Sequence, residues 1–490
     1  MQKRIPFIIL IWLIADVYFF HAVKILTDSS AIATWIYWMI DVLLIGGIVL
    51  FMFIRSIGRN PAVISILMAG LLLSAVPKIL ALPVLLMEDI IRLFLNFPPR
   101  QFWVSALAAI VAAIPFFSLL YGMIGGRHNY KVHRITLPFT DLPEAFDGFT
   151  ITQLSDIHSG SFTSKKGVEK GISMVNAQNS DLLLFTGDLV NNLASEMDPW
   201  IESFAKLKAK VGKYSVLGNH DYGSYSKWPS KKDEADNLAR LKEVHKEIGF
   251  KLLLNQSVQI EKDSEKIALI GVENWGKGGF QKYGDLTKAT ANVDDNEFKI
   301  LMSHDPSHWE AKTLEHEKHI NLALAGHTHG MQFGIELFGF KWSPVKYVYE
   351  QWAGLYKRGE KYLYVNRGFG FIGFKGRVGI WPEITVITLK SISILYETSQ
   401  TFLTLWRNTT IQNMKKAGIT IMVLMAIAII AFTIIQRHAV TDNAVDSGGF
   451  WAYMYGMTSV PWPTFAAGTV FLMGLTMYMS SWEQKAQRYK

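Results

Sequence analysis

A chain of 490 residues, 50% of them apolar and only 18% charged, is too long for one hydrophobic core and too apolar for an ordinary soluble protein. Its formal charge of +8 lies in the two flanks while the middle is close to neutral, so no nucleic-acid-binding face is expected. The absence of cysteine excludes disulfides, Cys-ligated zinc and thiol nucleophiles.

Residues 6–26, 33–54, 62–87 and 104–124 are each long and apolar enough to cross roughly 30 Å of hydrocarbon as a helix. The first follows Lys3 and Arg4, as a signal peptide would, but no small-x-small cleavage site comes after it. It reads as a retained helix. Asp16, Asp41 and Lys78 sit inside these runs and read as polar contacts between helices, with Lys78 after Pro77 where the helix is expected to break. Lys3, Arg4, Arg55, Arg59, Arg127, Lys131 and Arg134 fall on one side of the bundle, against Lys24, Arg92 and Arg100 on the other. The positive-inside rule then places the first set, and the domain after the fourth helix, on the cytoplasmic side. Residues 1–126 are expected to form this transmembrane region and 127–146 a linker.

From 147 to 390 the pattern changes. Strand-length apolar runs recur at 149–156, 181–188, 213–221, 265–272, 298–305, 321–329, 361–368 and 383–389. Helical patterns intervene at 167–178 and at 233–248, where Leu238, Leu241, Val244 and Ile248 share a face. Alternating strands and helices predict a layered α/β domain with buried strands. In the remainder, 391–490, residues 417–436 read as a fifth span behind Lys415 and Lys416. A weaker sixth, 463–482, has its entry broken by Pro461 and Pro463, which leaves Trp451–Val460 as a re-entrant or interfacial piece.

The chemistry lies where the strands stop. Asp156-Ile157-His158, Gly187-Asp188, Gly218-Asn219-His220-Asp221, Ser303-His304-Asp305 and Gly326-His327-Thr328-His329 each end a predicted strand. Loops at strand carboxyl ends converge in open α/β sheets, so these islands are expected to meet. Asp and His together offer oxygen and nitrogen donors suited to Mn, Fe, Zn or Co. If the backbone is extended, Asp156 and His158 point to one side and can reach one ion, and His327 and His329 have the same spacing. A carboxylate at Asp188 could bridge two ions roughly 3.5–4 Å apart, which would make hydroxide the nucleophile for in-line attack on phosphorus.

These islands resemble the calcineurin-like metallophosphoesterase superfamily, whose pattern is D-x-H, G-D, G-N-H-[DE], H and G-H-x-H on a four-layered αββα sandwich. The resemblance implies two divalent ions, with Mn favoured. It would place Asp156, His158, Asp188 and His329 on the first ion and Asp188, Asn219, His304 and His327 on the second. His220 would serve the leaving oxygen as acid, with Asp221 orienting its imidazole. Tyr364-Val365-Asn366-Arg367-Gly368-Phe369-Gly370, Arg377 and Pro382-Glu383-Ile384 are similar to the ending of a bacterial membrane-associated subgroup with N-terminal transmembrane helices. That subgroup carries Pro-x-Arg where Lys375-Gly376-Arg377 stands here.

Other candidates have plainer readings. His308 reads as a surface or supporting residue, His316 and His319 as part of a solvated face, and Glu273 as site-lining or structural in equal measure. Trp228, Trp275, Trp309, Trp342 and Trp352 read first as core, second as an apolar lip at the bilayer. The expectation is a multi-pass enzyme of the bacterial cell membrane, its catalytic domain cytoplasmic. It would cleave a phosphodiester or pyrophosphate bond in a lipid or lipid precursor, as relatives acting on UDP-2,3-diacylglucosamine do. Its partners would be the lipid bilayer and a phosphorylated lipid or small molecule. The alternatives are a membrane-localised phosphodiesterase of soluble nucleotides and a sensor or scaffold with a vestigial hydrolase domain; no oligomeric state follows from the sequence.

Overall fold

The computed structural model describes residues 5–53, 61–337, 340–392, 416 and 419–423. Of the predicted span 417–436 only 419–423 fall among them; the span 463–482 and the stretch 451–460 lie outside the described residues.

Among the described residues, four helices are long and apolar enough to cross a membrane: α1 (Ile5–Leu26), α2 (Ala31–Phe53), α3 (Pro61–Leu93) and α4 (Phe102–Ile124). The expected break at Pro77 does not occur, because α3 runs unbroken through both Pro77 and Pro83. Neighbouring helices and polar side chains can satisfy the carbonyls that proline frees in a bundle. Lys78 makes an ion pair with Asp16, lies 3.8 Å from Asp41 and donates to Ser74 Oγ at 2.9 Å. Trp12 Nε1 reaches the same hydroxyl at 3.1 Å, and Tyr37 donates to the Asp16 carbonyl at 2.9 Å. The three intramembrane charges therefore join α1, α2 and α3. At one end of the bundle Arg100 pairs with Glu88 and Asp89 at 2.8 and 2.7 Å, fastening the turn before α4 to α3.

The globular part holds β1 (Lys131–Phe139), β2 (Thr150–Leu154), α5 (Lys165–Asn176), β3 (Leu182–Phe185), α6 (Ile201–Phe204) and β4 (Gly212–Ser215). Then come α7 (Lys231–Glu247), β5 (Lys251–Leu252), β6 (Gln256–Lys262), β7 (Glu265–Gly271), α8 (Leu286–Thr290), β8 (Lys299–Met302) and β9 (Leu322–Ala325). The last strands are β10 (Ile335–Leu337), β11 (Phe340–Trp342), β12 (Gly354–Arg358), β13 (Lys361–Val365) and β14 (Glu383–Ser391). One six-stranded sheet has the order β1-β14-β2-β3-β4-β5 and the other β12-β13-β9-β8-β7-β6, with β10-β11 a separate hairpin. Within them β2, β3, β4 and β5 are parallel, as are β7, β8, β9 and β13.

All eight predicted strands are present, but 127–146 is not a linker. It contains β1, which pairs in parallel with β14 along its whole length. Ile135, Leu137 and Phe139 are buried while Arg134, Thr136 and Pro138 are exposed, the alternation of a half-covered edge strand. Ile151, Leu184 and Val216 of one sheet pack against Leu269, Met302 and Leu324 of the other. On the outer faces, Ile172 of α5 and Val244 of α7 cover the first sheet, and Leu286 of α8 with Trp309 covers the second. The result is the expected four layers, with both sets of parallel strands ending on one side.

Glu383 closes the domain at the start of β14. Fully buried, it accepts from Arg367 Nη1, Tyr364 Oη and Thr385 Oγ1, each at 2.6 Å, and from the Arg367 amide at 3.1 Å. Burial works against its charge, but Arg367 outweighs this and holds the carboxyl down at about 2. Its contribution to stability is therefore complete above about pH 4.5 and is lost as the pH falls toward 2. Glu383→Gln should cost on the order of 3 kcal/mol at neutral pH by leaving the buried Arg367 with only the partly exposed Glu336 as its charged partner. In chemical unfolding the gap between the two proteins should narrow below pH 4.5.

Candidate active site

The turns after β2, β3, β4, β8 and β9 are laced together by backbone hydrogen bonds. Asp156 N donates to Gly187 O at 2.9 Å, Ile157 N to Asp188 O at 2.8 Å, and Gly326 N to His304 O at 2.9 Å. Glycine is required where the turns touch: a Cβ on Gly218 would lie 2.2 Å from Asp188 Oδ1, and one on Gly326 2.3 Å from Asp156 Oδ2. Asp156, His158, Asp188, His327 and His329 all have positive φ, between 47° and 70°. Each such residue costs on the order of 1 kcal/mol, held against the surrounding sheet.

This conformation corrects one sequence argument. Neither Asp156-x-His158 nor His327-x-His329 is extended, so alternation does not govern where they point. Asp156 and His158 do meet, joined by His329, but His327 turns away to join Asp188 and His304 in a second cluster.

In the first cluster His158 Nε2 lies 3.0 Å from His329 Nε2, which lies 3.2 Å from Asp156 Oδ1. In the second, His327 Nδ1 lies 2.8 Å from Asn219 Oδ1 and 3.3 Å from His304 Nε2. Asp188 joins them: its Oδ2 is 3.5 Å from His158 Nε2 and 3.2 Å from His304 Nε2, while Oδ1 accepts from the His220 amide at 2.9 Å. All seven predicted ligands thus meet in one buried centre.

The electrostatics fit cations. Burial, helped by Asp188, raises the Asp156 carboxyl to about 6. Burial would lower His304, yet Asp188 and Asp156 overcome it and raise the ring to about 10, so the site draws positive charge to that atom. Burial pushes His158 down to about 3 and His329 well below its ordinary value, leaving two uncharged imidazole nitrogens face to face. A metal ion between them would take both nitrogens as ligands once each ring's proton is off Nε2. Other groups orient the rings. His304 Nδ1 donates to Thr186 O at 2.7 Å, which turns Nε2 toward Asp188. His327 Nε2 lies 2.8 Å from Tyr349 Oη and 3.5 Å from Asp305 Oδ2, so its Nδ1 faces the centre.

His220 lies beside the first cluster, its ring 4.9 Å from that of His158. Asp221 does not orient it. The His220 Nδ1 donates instead to Asn191 O at 2.7 Å, leaving Nε2 free. The Asp221 carboxylate accepts from the amides of Gly218, Asp188 and Leu189 at 2.8, 2.9 and 2.8 Å, and so sets the shape of two ligand turns.

Arg377, the last residue of the altered Lys375-Gly376-Arg377 motif, is fully buried with Nη2 3.2 Å from His329 Nδ1. A guanidinium there opposes protonation of the ring, and an unprotonated ring is what a metal takes. Tyr225, whose hydroxyl accepts from Asn219 Nδ2 at 2.9 Å, and Phe280, edge-on to His327 at 4.9 Å, line the site without any motif to announce them. Glu273 is structural, bonded to Tyr222 and Asn255. His308 is buried against Ser303 Oγ at 3.0 Å. None of the five tryptophans is exposed, and Trp309 and Trp352 are core.

Two clusters of Asp and His donors at the carboxyl ends of facing parallel strands define a metal-dependent phosphohydrolase. Residues 2–127 match the family model described as "Probable Calcineurin-like phosphoesterase, transmembrane domain", and residues 149–331 match "Calcineurin-like phosphoesterase". The metallophosphoesterase YkuE of Bacillus subtilis is 32% identical over 54% of this chain and 87% of its own length. A zebrafish "Transmembrane protein with metallophosphoesterase domain" is 29% identical over 58% of this chain, which spans 62% of that protein. The phosphodiesterase YaeI of Escherichia coli is 26% identical over 59% of this chain and 98% of its own. The chain belongs to the calcineurin-like metallophosphoesterases, as a membrane protein whose apolar helices precede the catalytic domain.

Asp221→Asn would turn an amide donor toward backbone N–H groups, so it should destabilise the domain by about 1–3 kcal/mol, read as a lowered Tm. If Asp221 oriented only His220, Tm would not move.

Proposed function

We propose that the protein is an integral membrane phosphoesterase working with two divalent ions, and that its substrate is a phosphodiester or pyrophosphate in a lipid or lipid precursor. The observation that carries the two-ion reading is the position of Asp188 Oδ2, within 3.5 Å of an imidazole nitrogen from each cluster. Asp156, His158, His329 and Asp188 would hold one ion, and Asp188, Asn219, His304 and His327 the other. Such a pair, for which Mn suits the mixed donors, supplies an activated water and a clamp for phosphoryl oxygens. His220 stands at the rim with Nε2 free, where it can give a proton to the leaving oxygen once the substrate is in place. Tyr225, 4.5 Å from the His220 ring, restricts how that ring can turn.

The membrane region supports the choice of substrate. Tethering to the bilayer raises the effective concentration of lipid-linked esters but does almost nothing for soluble ones. The cytoplasmic side is proposed for the domain, since Arg127, Lys131 and Arg134 follow α4 directly.

With detergent-purified protein and added Mn, Asp188→Asn should lower turnover of an aryl phosphodiester by at least about 100-fold and halve the bound metal. Equal turnover would refute the two-ion reading, and activity confined to soluble nucleotides would refute the lipid assignment. A reporter active only after export should be silent when fused after Arg134.

A further inference from the structure

The catalytic domain exposes few large apolar side chains, and most belong to one stretch. Met331, Ile335, Leu337, Tyr347 and Val348 are 53, 51, 58, 75 and 73% exposed. The stretch 331–348 leaves His329 at one end and returns to Tyr349, the partner of His327, at the other. It therefore forms part of the rim of the metal site. An isolated exposed apolar residue needs no explanation, but several on one segment mark a surface that is covered in use.

The base of this stretch is fastened to the end of a membrane helix. Gly334 N donates to Val378 O and Val378 N to Gln332 O, both at 2.9 Å. The neighbouring Arg377 N donates to Gly122 O of α4 at 3.1 Å, and Gly122 has no room for a Cβ, which would lie 2.5 Å from Val378 Cγ2 and 2.6 Å from Arg377 O. Trp381 meets Tyr121 edge-on at 5.9 Å. Since α4 ends at Ile124, the hairpin is rooted where that helix leaves the membrane. Aliphatic and tyrosine side chains at that level, with Lys346 exposed among them, suit the boundary between head groups and acyl chains.

We propose that residues 331–337 and 340–348, which include the strands β10 and β11, rest in the surface of the bilayer that holds α1–α4, so that the metal site opens onto the membrane and receives a phosphate ester carried by a lipid. The contact with the bilayer rests on the membrane reading of the helices, and the route for substrate rests additionally on the proposed lipid specificity.

The chain has no native cysteine, so single nitroxide labels can be placed without background. Ile335→Cys, Leu337→Cys and Val348→Cys would be labelled in the full chain, reconstituted in phosphatidylethanolamine–phosphatidylglycerol vesicles, with Glu261→Cys as the exposed control. Labels on the stretch should relax faster with oxygen than with a water-soluble nickel chelate, and the control should show the reverse. Free access of the chelate to all three positions would overturn the proposal. So would protection from both reagents accompanied by spin–spin broadening that disappears on dilution with unlabelled chain, which would mean a second copy covers the surface.

The substrate route is tested by Leu337→Asp with Val348→Asp, comparing a phospholipid carrying a chromogenic phosphodiester head group with a soluble aryl phosphodiester. The ratio of lipid to soluble turnover should fall on the order of tenfold, and an unchanged ratio would overturn the route. Wild-type protein that binds metal yet cleaves neither substrate would instead refute the phosphoesterase reading, while the label result would stand.

Discussion

The site depends on one shared carboxylate. Asp188 turns one oxygen to the His220 amide and places the other between His158 and His304, so that two groups of imidazoles become a single centre. Burial alone would raise its carboxyl, but His304, His220 and His158 overcome that and keep it well below the usual range. In a medium of low dielectric such mutual dependence is strong in both directions. The shape of the turn that presents Asp188 comes in turn from Asp221, buried beneath it and bonded to its amide.

Holding ligands this close has a conformational cost. Five of the seven sit in the left-handed region, and the turns approach so nearly that Gly218, Gly326 and Gly370 leave no space for a side chain. The two sheets make this possible. Their facing cores of leucine, isoleucine and methionine hold the strand ends rigidly, and the Arg367–Glu383 pair ties the segment carrying Gly368 and Gly370 to the start of β14. A gap of one methyl group between strands would move the ligands by more than metal coordination tolerates.

Arg377 links the membrane region to this centre. Its amide donates to Gly122 in α4, while its guanidinium lies against His329 and donates to the Gly370 carbonyl at 2.6 Å. The position of the metal site relative to the bilayer therefore does not rest on a flexible tether. β1, where a linker was expected, makes the connection tighter still, since the chain enters the sheet seven residues after α4 ends.

The candidate ligand set was legible because chemistry restricts it: only a few residue types bind such ions, and here each falls at the end of an apolar run. The four membrane helices were legible for a similar reason, since their length and composition answer to the bilayer alone. β1 was written in the alternation of Ile135, Leu137 and Phe139, but its mate β14 lies some 250 residues away, and pairing at that distance leaves no local mark. The same holds for Arg377 beside His329, for Tyr349 on His327, and for the task of Asp221. Sequence by itself determined which atoms could hold metal and which segments could enter a membrane, because both follow from the properties of side chains taken singly or in runs. Tertiary structure alone decided which imidazoles come together, what orients them and which apolar residues stay uncovered, because those depend on distances between turns that only the packed sheets set.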